Sequence, residues 1–209
     1  LVSDIKKSVM EHQGVVVQFP LPDFIDKDLV RNSIPSTHDV DLISNESVSL
    51  FERGESEILS PVVGAIKEVL DRNNISIKDK KVVVVGEGPL VGKLATVWAL
   101  QQGALVDTVN EKTKNIAFYT KKADVLILGA GVSSLIKADM VKDGVIILDA
   151  GTSEANGVLR GDADTMCAEK SLLFTPVPGG IGPITVAMIF KNLLILSHKI
   201  KREGIDSLR

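Results

Sequence analysis

The spacing of apolar positions changes period several times along the chain, and each change marks an element. Leu1 to Glu11 carries helical spacing, and after Gly14 the β-branched run Val15-Val16-Val17-Gln18 predicts a short strand, stopped by Phe19-Pro20-Leu21-Pro22. Helical spacing returns from Asp26 to Asn32, and the proline and small polar residues of Ile34 to Asp39 predict a loop. Ser60-Pro61 reads as an N-cap and first helical position, followed by the stripe Val62, Val63, Ile66, Val69 and Leu70, a helix expected to link two domains. Beyond it strands and helices alternate: strand 81–85, helix 90–102, strand 105–109, helix 115–121, then strands 125–128 and 145–148. This alternation predicts an α/β fold, a Rossmann-type parallel sheet flanked by helices, with a partial second α/β domain at the N-terminus. A last helix, starting near Pro183, carries Val186, Ile189, Leu193 and Leu196 and should bury one face toward the front domain. The expected divisions are 1–60, 61–185 and 186–209.

Composition narrows the class. A hydrophobic fraction of 44% with 17 Gly and 4% aromatics suits buried parallel strands alternating with helices. Lys plus Arg number 24 against 27 Asp plus Glu, so the net charge of -3 offers no field for a phosphate backbone, and nucleic acid is not an expected partner. The basic run His198 to Arg202 reads as the solvated end of a helix. The single cysteine, Cys167, excludes an internal disulfide framework and a thiolate zinc site, and fits a reducing compartment. His12, His38 and His198 lie in distant segments, so neither an activated thiol nor a metal site is expected. No apolar run approaches the roughly 20 residues of a membrane span, and no secretory pattern opens the chain. A soluble, cytoplasmic protein without a membrane partner is expected, with an organellar targeting segment ahead of Leu1 left open.

The clearest chemical motif is Gly86-Glu87-Gly88-Pro89-Leu90-Val91-Gly92-Lys93, entered directly from Val82-Val83-Val84-Val85. A Gly-x-Gly-x-x-x-Gly loop between strand and helix permits a tight turn and close backbone approach, so a pyrophosphate can lie against helix N-terminal amides. A tight βα turn without a ligand would read the same way. Glu111, 19 residues after Gly92 and read as ending the second strand, suits the adenosine ribose hydroxyls and opposes a 2′-phosphate. Lys112 beside it supplies a cation, and an exposed strand end tolerates glutamate without any ligand.

Four segments, in order, resemble the methylenetetrahydrofolate dehydrogenase/cyclohydrolase family. They are Val-Gln-Phe-Pro-Leu-Pro at 17–22, Asp-Val-Asp at 39–41, the glycine loop at 83–93, and Thr-Pro-Val-Pro-Gly-Gly-Ile-Gly-Pro-Ile-Thr at 175–185. Supporting stretches are 123–127, Ile-Leu-Asp-Ala-Gly at 147–151 and Gly-Asp-Ala-Asp at 161–164. The resemblance implies oxidation of methylenetetrahydrofolate to the methenyl form with NAD or NADP, then hydrolysis to the formyl form, in a cleft between two domains. It implies tetrahydrofolate derivatives as ligands and a homodimer. Gln18 matches the glutamine that assists the hydrolysis and Asp41 the aspartate that holds the pterin edge. A carboxylate suits the paired N–H donors of a flat heterocycle. Pro20, Pro178, Gly179 and Gly180 are placed against the folate by the same resemblance. The cofactor set is Gly86, Glu87, Gly88, Pro89, Leu90, Glu111, Gly131, Thr152, Gly182 and Thr185.

Departures from the pattern matter equally. The family's catalytic Tyr and Lys, four apart on an early helix, have no counterpart, and the only tyrosine, Tyr119, lies in the Rossmann half. The chain is therefore read as the carboxy-terminal part of such an enzyme, or as a short paralogue that binds nucleotide without catalysis, with the hydrolase step the more impaired. Glu87 and Gly88 stand where NADP-using members have Arg and Ser, which favours NAD because glutamate cannot pair with a phosphate. His38 replaces a lysine, and Leu42 replaces the glycine after Asp41.

Overall fold

The structure, a computed structural model, describes residues 1–155 and 157–206, with side chains given for all but 155 and 200–206. It divides into two compact units, one of Leu1–Pro61 with the chain from Val186, the other Val62–Thr185.

In the second unit five strands form one parallel sheet: β1 (Lys81–Val85), β2 (Leu105–Val109), β3 (Val125–Leu128), β4 (Val145–Asp149) and, numbered in chain order, β7 (Ser171–Phe174). Their spatial order is β2-β1-β3-β4-β7, so the chain reverses direction across the sheet between β1 and β3. The register sets Val83 beside Leu126 and Leu126 beside Ile147, and Val82 beside Val125 and Val125 beside Ile146. Both rows are buried, which is why these strands are continuous apolar runs with no polar alternation. One face packs Val83, Val85, Leu126, Leu128 and Ile147 with Ile136, Val141 and Cys167. Flanking helices are α4 (Pro61–Arg72), α5 (Gly92–Gln101) and α6 (Ile116–Thr120). In α4 the residues Val63, Ile66 and Leu70 return at helical spacing to form its buried stripe. The Cys167 thiol donates to Ile136 O at 3.4 Å, and burial pushes its pKa up, as suits a packed thiol rather than a nucleophile.

The other unit holds α1 (Val2–Glu11), α2 (Lys27–Asn32), α3 (Asn45–Glu52) and most of the long α7 (Ile181–Asp206). Asp26 caps α2, accepting from Asp28 N and Leu29 N, and Ser44 caps α3 through Ser47 N, each supplying an acceptor to a helix amide that has no intrahelical partner. Ile5, Val17, Val30, Ile34 and Ile43 form its core. Asn192 of α7 donates from Nδ2 to Val40 O at 2.9 Å and Leu59 O at 2.8 Å.

Several expectations need correction. Residues 15–18 form no strand: Val15 makes a single parallel bridge to Asp39, because β propensity yields a strand only where a neighbour accepts the ladder. The helix expected from Leu90 begins at Gly92 after a turn at 89–91, and that expected over 115–121 is Ile116–Thr120, with Asn115 as its cap. Strand 145–148 extends to Asp149. Strand β2 ends at Val109, so Glu111 does not end it; the Asn110 side-chain Oδ1 accepts from Lys112 N at 2.9 Å and turns the chain first. The helix α3, the edge strand β7 and the antiparallel pair β5 (Ser153–Ala155) and β6 (Val158–Arg160) were not foreseen.

α7 departs twice. Among the described residues its buried positions are Ile181, Met188, Asn192, Leu196 and Ser197, so of the expected stripe Leu196 is buried, Ile189 and Leu193 are half-buried and Val186 is 55% exposed. The stretch Ile181–Lys199 also has a mean hydropathy of 1.4 and is long and apolar enough to cross a membrane by length and composition. The expectation that no apolar run approaches the length of a membrane span therefore fails for this helix, whose scattered polar residues lower its mean hydropathy only to 1.4. Within its own unit the Asn192 amide is engaged by two backbone carbonyls. Of the basic run His198 to Arg202, the side chains of 200–202 lie outside the described residues.

Candidate functional site

Parallel sheets of this order collect ligands outside the carboxyl ends of the strands, where the chain changes direction. A cavity of about 270 Å³ lies there, beyond β1 and β3, lined by Val85, Gly86, Glu87, Gly88, Asn110, Glu111, Ile116, Gly129, Ala130, Val132 and Leu135. Gly86 has φ +98, and a Cβ on it would stand 2.6 Å from Gly129 O. A Cβ on Gly92 would overlap the Gly86 carbonyl, so the first turn of α5 sits against the end of β1 only because Gly92 has no side chain. A Cβ on Gly88 would meet nothing, which leaves that backbone open to an incoming group. No side chain caps α5. A glycine cradle of this kind at an uncapped helix start fits a dinucleotide pyrophosphate.

Of the predicted cofactor residues, Gly86, Glu87, Gly88 and Glu111 line this cavity, whereas Pro89, Leu90 and Gly131 do not. Glu87 is held by Asn110, whose Nδ2 donates to Oε2 at 2.5 Å. Gly131 has φ +69 and donates its N–H to Asp162.

A second cavity of the same unit, about 320 Å³, is mostly apolar and lined by Asp149, Ala150, Thr152, Leu159 and the segment 176–183 with Thr185. It gathers the predicted Pro178, Gly179, Gly180, Gly182 and Thr152. Gly179 has φ +104, and Gly180 N donates to Pro176 O at 2.7 Å. The Val177-Pro178 and Phe19-Pro20 peptides are cis. Thr185 lines the cavity, but its hydroxyl donates to Ile181 O at 3.0 Å within α7.

Two aspartates unassigned by the sequence organise the loops at these strand ends. Asp149 is 1% exposed; Oδ2 accepts from Ala163 N at 2.8 Å and Oδ1 from Gly151 N at 3.0 Å. Burial pushes its pKa up to about 6, against the pull of the N–H donors. Asp162, also buried, accepts from Ala130, Gly131 and Val132, and burial raises its pKa too. Both stand in stretches that carry the family resemblance, Ile-Leu-Asp-Ala-Gly and Gly-Asp-Ala-Asp, but nothing local in either reveals the partners.

The remaining predicted residues belong to the other unit. Gln18 is exposed, its Nε2 donating to Phe19 O at 3.3 Å, and Pro20 is exposed. Asp41 is half-buried, and burial followed by the charge of Asp39 raises its pKa. Asp39 itself is wholly buried and accepts from Ile43 N and Ser44 N. Leu42 adopts φ +57, a left-handed conformation that favours the glycine it replaces, with its side chain fully buried. His38 shares a hydrogen bond with the Thr37 hydroxyl at 2.9 Å, and burial lowers its pKa, so no fixed cation stands there.

Fold and site together define a Rossmann-type unit of the dinucleotide-binding class. The sequence profile of the tetrahydrofolate dehydrogenase/cyclohydrolase NAD(P)-binding domain matches residues 61–201, and the chain belongs to that family. It is 38% identical over 182 residues to the bifunctional protein FolD of Caldanaerobacter subterraneus subsp. tengcongensis, covering 87% of this chain and 65% of that protein. The chain thus spans about two thirds of the length of the curated relatives it matches, 66% for FolD 2 of Lactobacillus johnsonii. The crystal structure of FolD from Campylobacter jejuni superposes with a TM-score of 0.89 at 34% identity, covering 94% of this chain and 73% of that one. The Trypanosoma brucei dehydrogenase-cyclohydrolase, complexed with NADP cofactor and inhibitor, matches with a TM-score of 0.88 at 28% identity, covering 97% and 74%.

Proposed function

We propose that the chain binds a nicotinamide dinucleotide in the cavity beyond β1 and β3 and takes part in oxidising methylenetetrahydrofolate to the methenyl form, with hydrolysis to the formyl form as the companion reaction. The observation that carries this reading is the glycine cradle, in which a Cβ on Gly86 would strike Gly129 O and one on Gly92 the Gly86 carbonyl, while Gly88 stays open. When bound, the dinucleotide supplies the hydride acceptor. The backbone of 86–88 would hold the pyrophosphate, with Pro89 and Leu90 shaping the turn into α5. Glu111 would take the ribose hydroxyls, and Gly131, Thr152, Gly182 and Thr185 complete the cofactor set. Gly179 and Gly180 would offer bare backbone to a flat ring, with Pro178 holding the loop in one shape. In the other unit Asp41 would hold the pterin N–H groups, with Pro20 beside the folate, and Gln18 would orient water for the hydrolysis without adding charge.

The reading prefers NAD to NADP, because Glu87 and Glu111 both line the cavity and repel a 2′-phosphate. It includes a homodimer in the cytoplasm. Titrating the purified chain with NADH and NADPH at equal ionic strength, then following methylenetetrahydrofolate-dependent reduction of each oxidised cofactor, tests it. Failure to bind either dinucleotide overturns it.

A second reading is a nucleotide-binding module without catalysis, which the glycine loop at 86–92 would serve by itself. Tyr119, the one tyrosine, stands edge-on to Phe118 in α6 with ring centroids 5.2 Å apart. Tight dinucleotide binding with no turnover of either folate step would select this reading.

A further inference from the structure

We infer that Asp162 is a positioning residue for dinucleotide binding: itself shut off from the cavity, it holds the backbone of Ala130 to Val132 in place as the cavity wall. The inference rests on the dinucleotide reading and adds to it a residue outside the lining.

Asp162 is wholly buried, and three consecutive amides converge on its carboxylate. Oδ2 accepts from Ala130 N at 2.6 Å and Gly131 N at 3.1 Å, and Oδ1 accepts from Val132 N at 2.8 Å. The chain can curl around one carboxylate in this way because Gly131 adopts φ +69. Ala130 and Val132 then face the cavity. Behind the carboxylate, Gly151 leaves the needed room, since a Cβ there would overlap both oxygens.

The base of the clamp is itself fixed. Ser134 N donates to Gly161 O at 3.0 Å, Ile136 N to Asp162 O at 2.9 Å, and Asp164 N to Ile136 O at 2.8 Å. A segment laced by backbone to 134–136 thus grips, through one side chain, the loop just before it. Only an ionised carboxylate offers acceptors on both oxygens. An asparagine of the same shape must turn its NH2 toward one of these amides, setting donor against donor.

The test compares NADH dissociation constants, from nicotinamide fluorescence, for the wild type, Asp162→Asn, Gly151→Ala and a control, Asp124→Asn. Gly151→Ala displaces the carboxylate without removing it. Asp124 accepts from Lys81 N at 2.8 Å and Lys142 Nζ at 2.5 Å at the amino end of the sheet, so its substitution tests lost stability alone. The expected result is a rise of about tenfold or more for both clamp variants, about 1.4 kcal/mol, and little change for the control. Wild-type binding matched within about twofold by both clamp variants overturns the clamp and leaves the dinucleotide reading standing. No binding by the wild type overturns both. Hydrogen exchange on the wild type decides the matter even where variants fail to fold: the Ala130, Gly131 and Val132 amides are expected to be protected without ligand, and exchange at open-loop rates overturns the clamp.

Discussion

Asp149 fills the space that a side chain would need at Gly161: its Oδ2 accepts the N–H of Ala163 at 2.8 Å from a position that a Cβ on Gly161 would overlap. The carboxylate can move only by giving up that bond. Gly161→Ala is therefore expected to destabilise the fold by about 1–3 kcal/mol, the usual cost of overpacking a filled interior. A urea unfolding curve whose midpoint matches the wild type would refute it.

The same aspartate gives stability a pH dependence of defined sign. Its folded pKa, pushed up to about 6 by burial, lies above the ordinary 3.8, so the native state binds its proton more tightly than the unfolded chain. Its contribution is fully present below about pH 4 and is lost as pH rises through about 6, on the order of 3 kcal/mol across the window. Compared with Asp149→Asn, the wild type should gain stability between pH 7 and pH 5. Parallel unfolding curves at the two pH values measure it, and an unchanged difference would exclude the shift.

Glu87, tied to Asn110 at 2.5 Å, is held at the cavity beyond β1 and β3. Glu87→Arg should tighten NADPH binding by about tenfold, about 1.4 kcal/mol, while leaving NADH within about twofold. Fluorescence titration of both cofactors reads the difference. Equal changes for the two would place Glu87 away from the 2′-phosphate.

Asn192→Leu should destabilise the unit that holds α7, since it strips the partner from the Val40 and Leu59 carbonyls. The expected cost is about 1–3 kcal/mol, that of leaving buried polar groups unsatisfied. Thermal unfolding with no loss would show that water replaces the amide.

Asp41→Ala should weaken folate binding by about 1.5–3 kcal/mol, as expected for a hydrogen bond to a charged group, and leave dinucleotide affinity unchanged. Calorimetric titration of each ligand separates the two, and equal loss of both would point to a collapsed loop around Leu42.

The strands β1, β3 and β4 could be read directly from the chain, because strands covered on both faces must be continuous apolar runs. The glycine spacing at 86–92 was equally legible, since Gly92 lets α5 approach the end of β1 and Gly86 lets the backbone of Gly129 approach the turn. Family resemblance marked out Gln18, Asp41 and the 178–185 segment from motifs alone.

Other features depend on what the chain meets in space. Val15 to Val17 have strand propensity, yet only Val15 finds a partner, in Asp39. Ser171-Leu172-Leu173-Phe174 carry no β-branched residue to announce a strand, yet β4 accepts them as its neighbour. On α7 several faces are apolar, and contacts with its own unit, including the two carbonyls that meet Asn192, select the one that is buried. Asp162 lies 32 residues beyond Ala130 in sequence, and neither residue's surroundings along the chain mark them as partners. Local patterns determine which segments can become strands or helices because those preferences act over a few residues. Which carboxylate serves which amide is decided only by folding, which brings distant groups into a space that water has left.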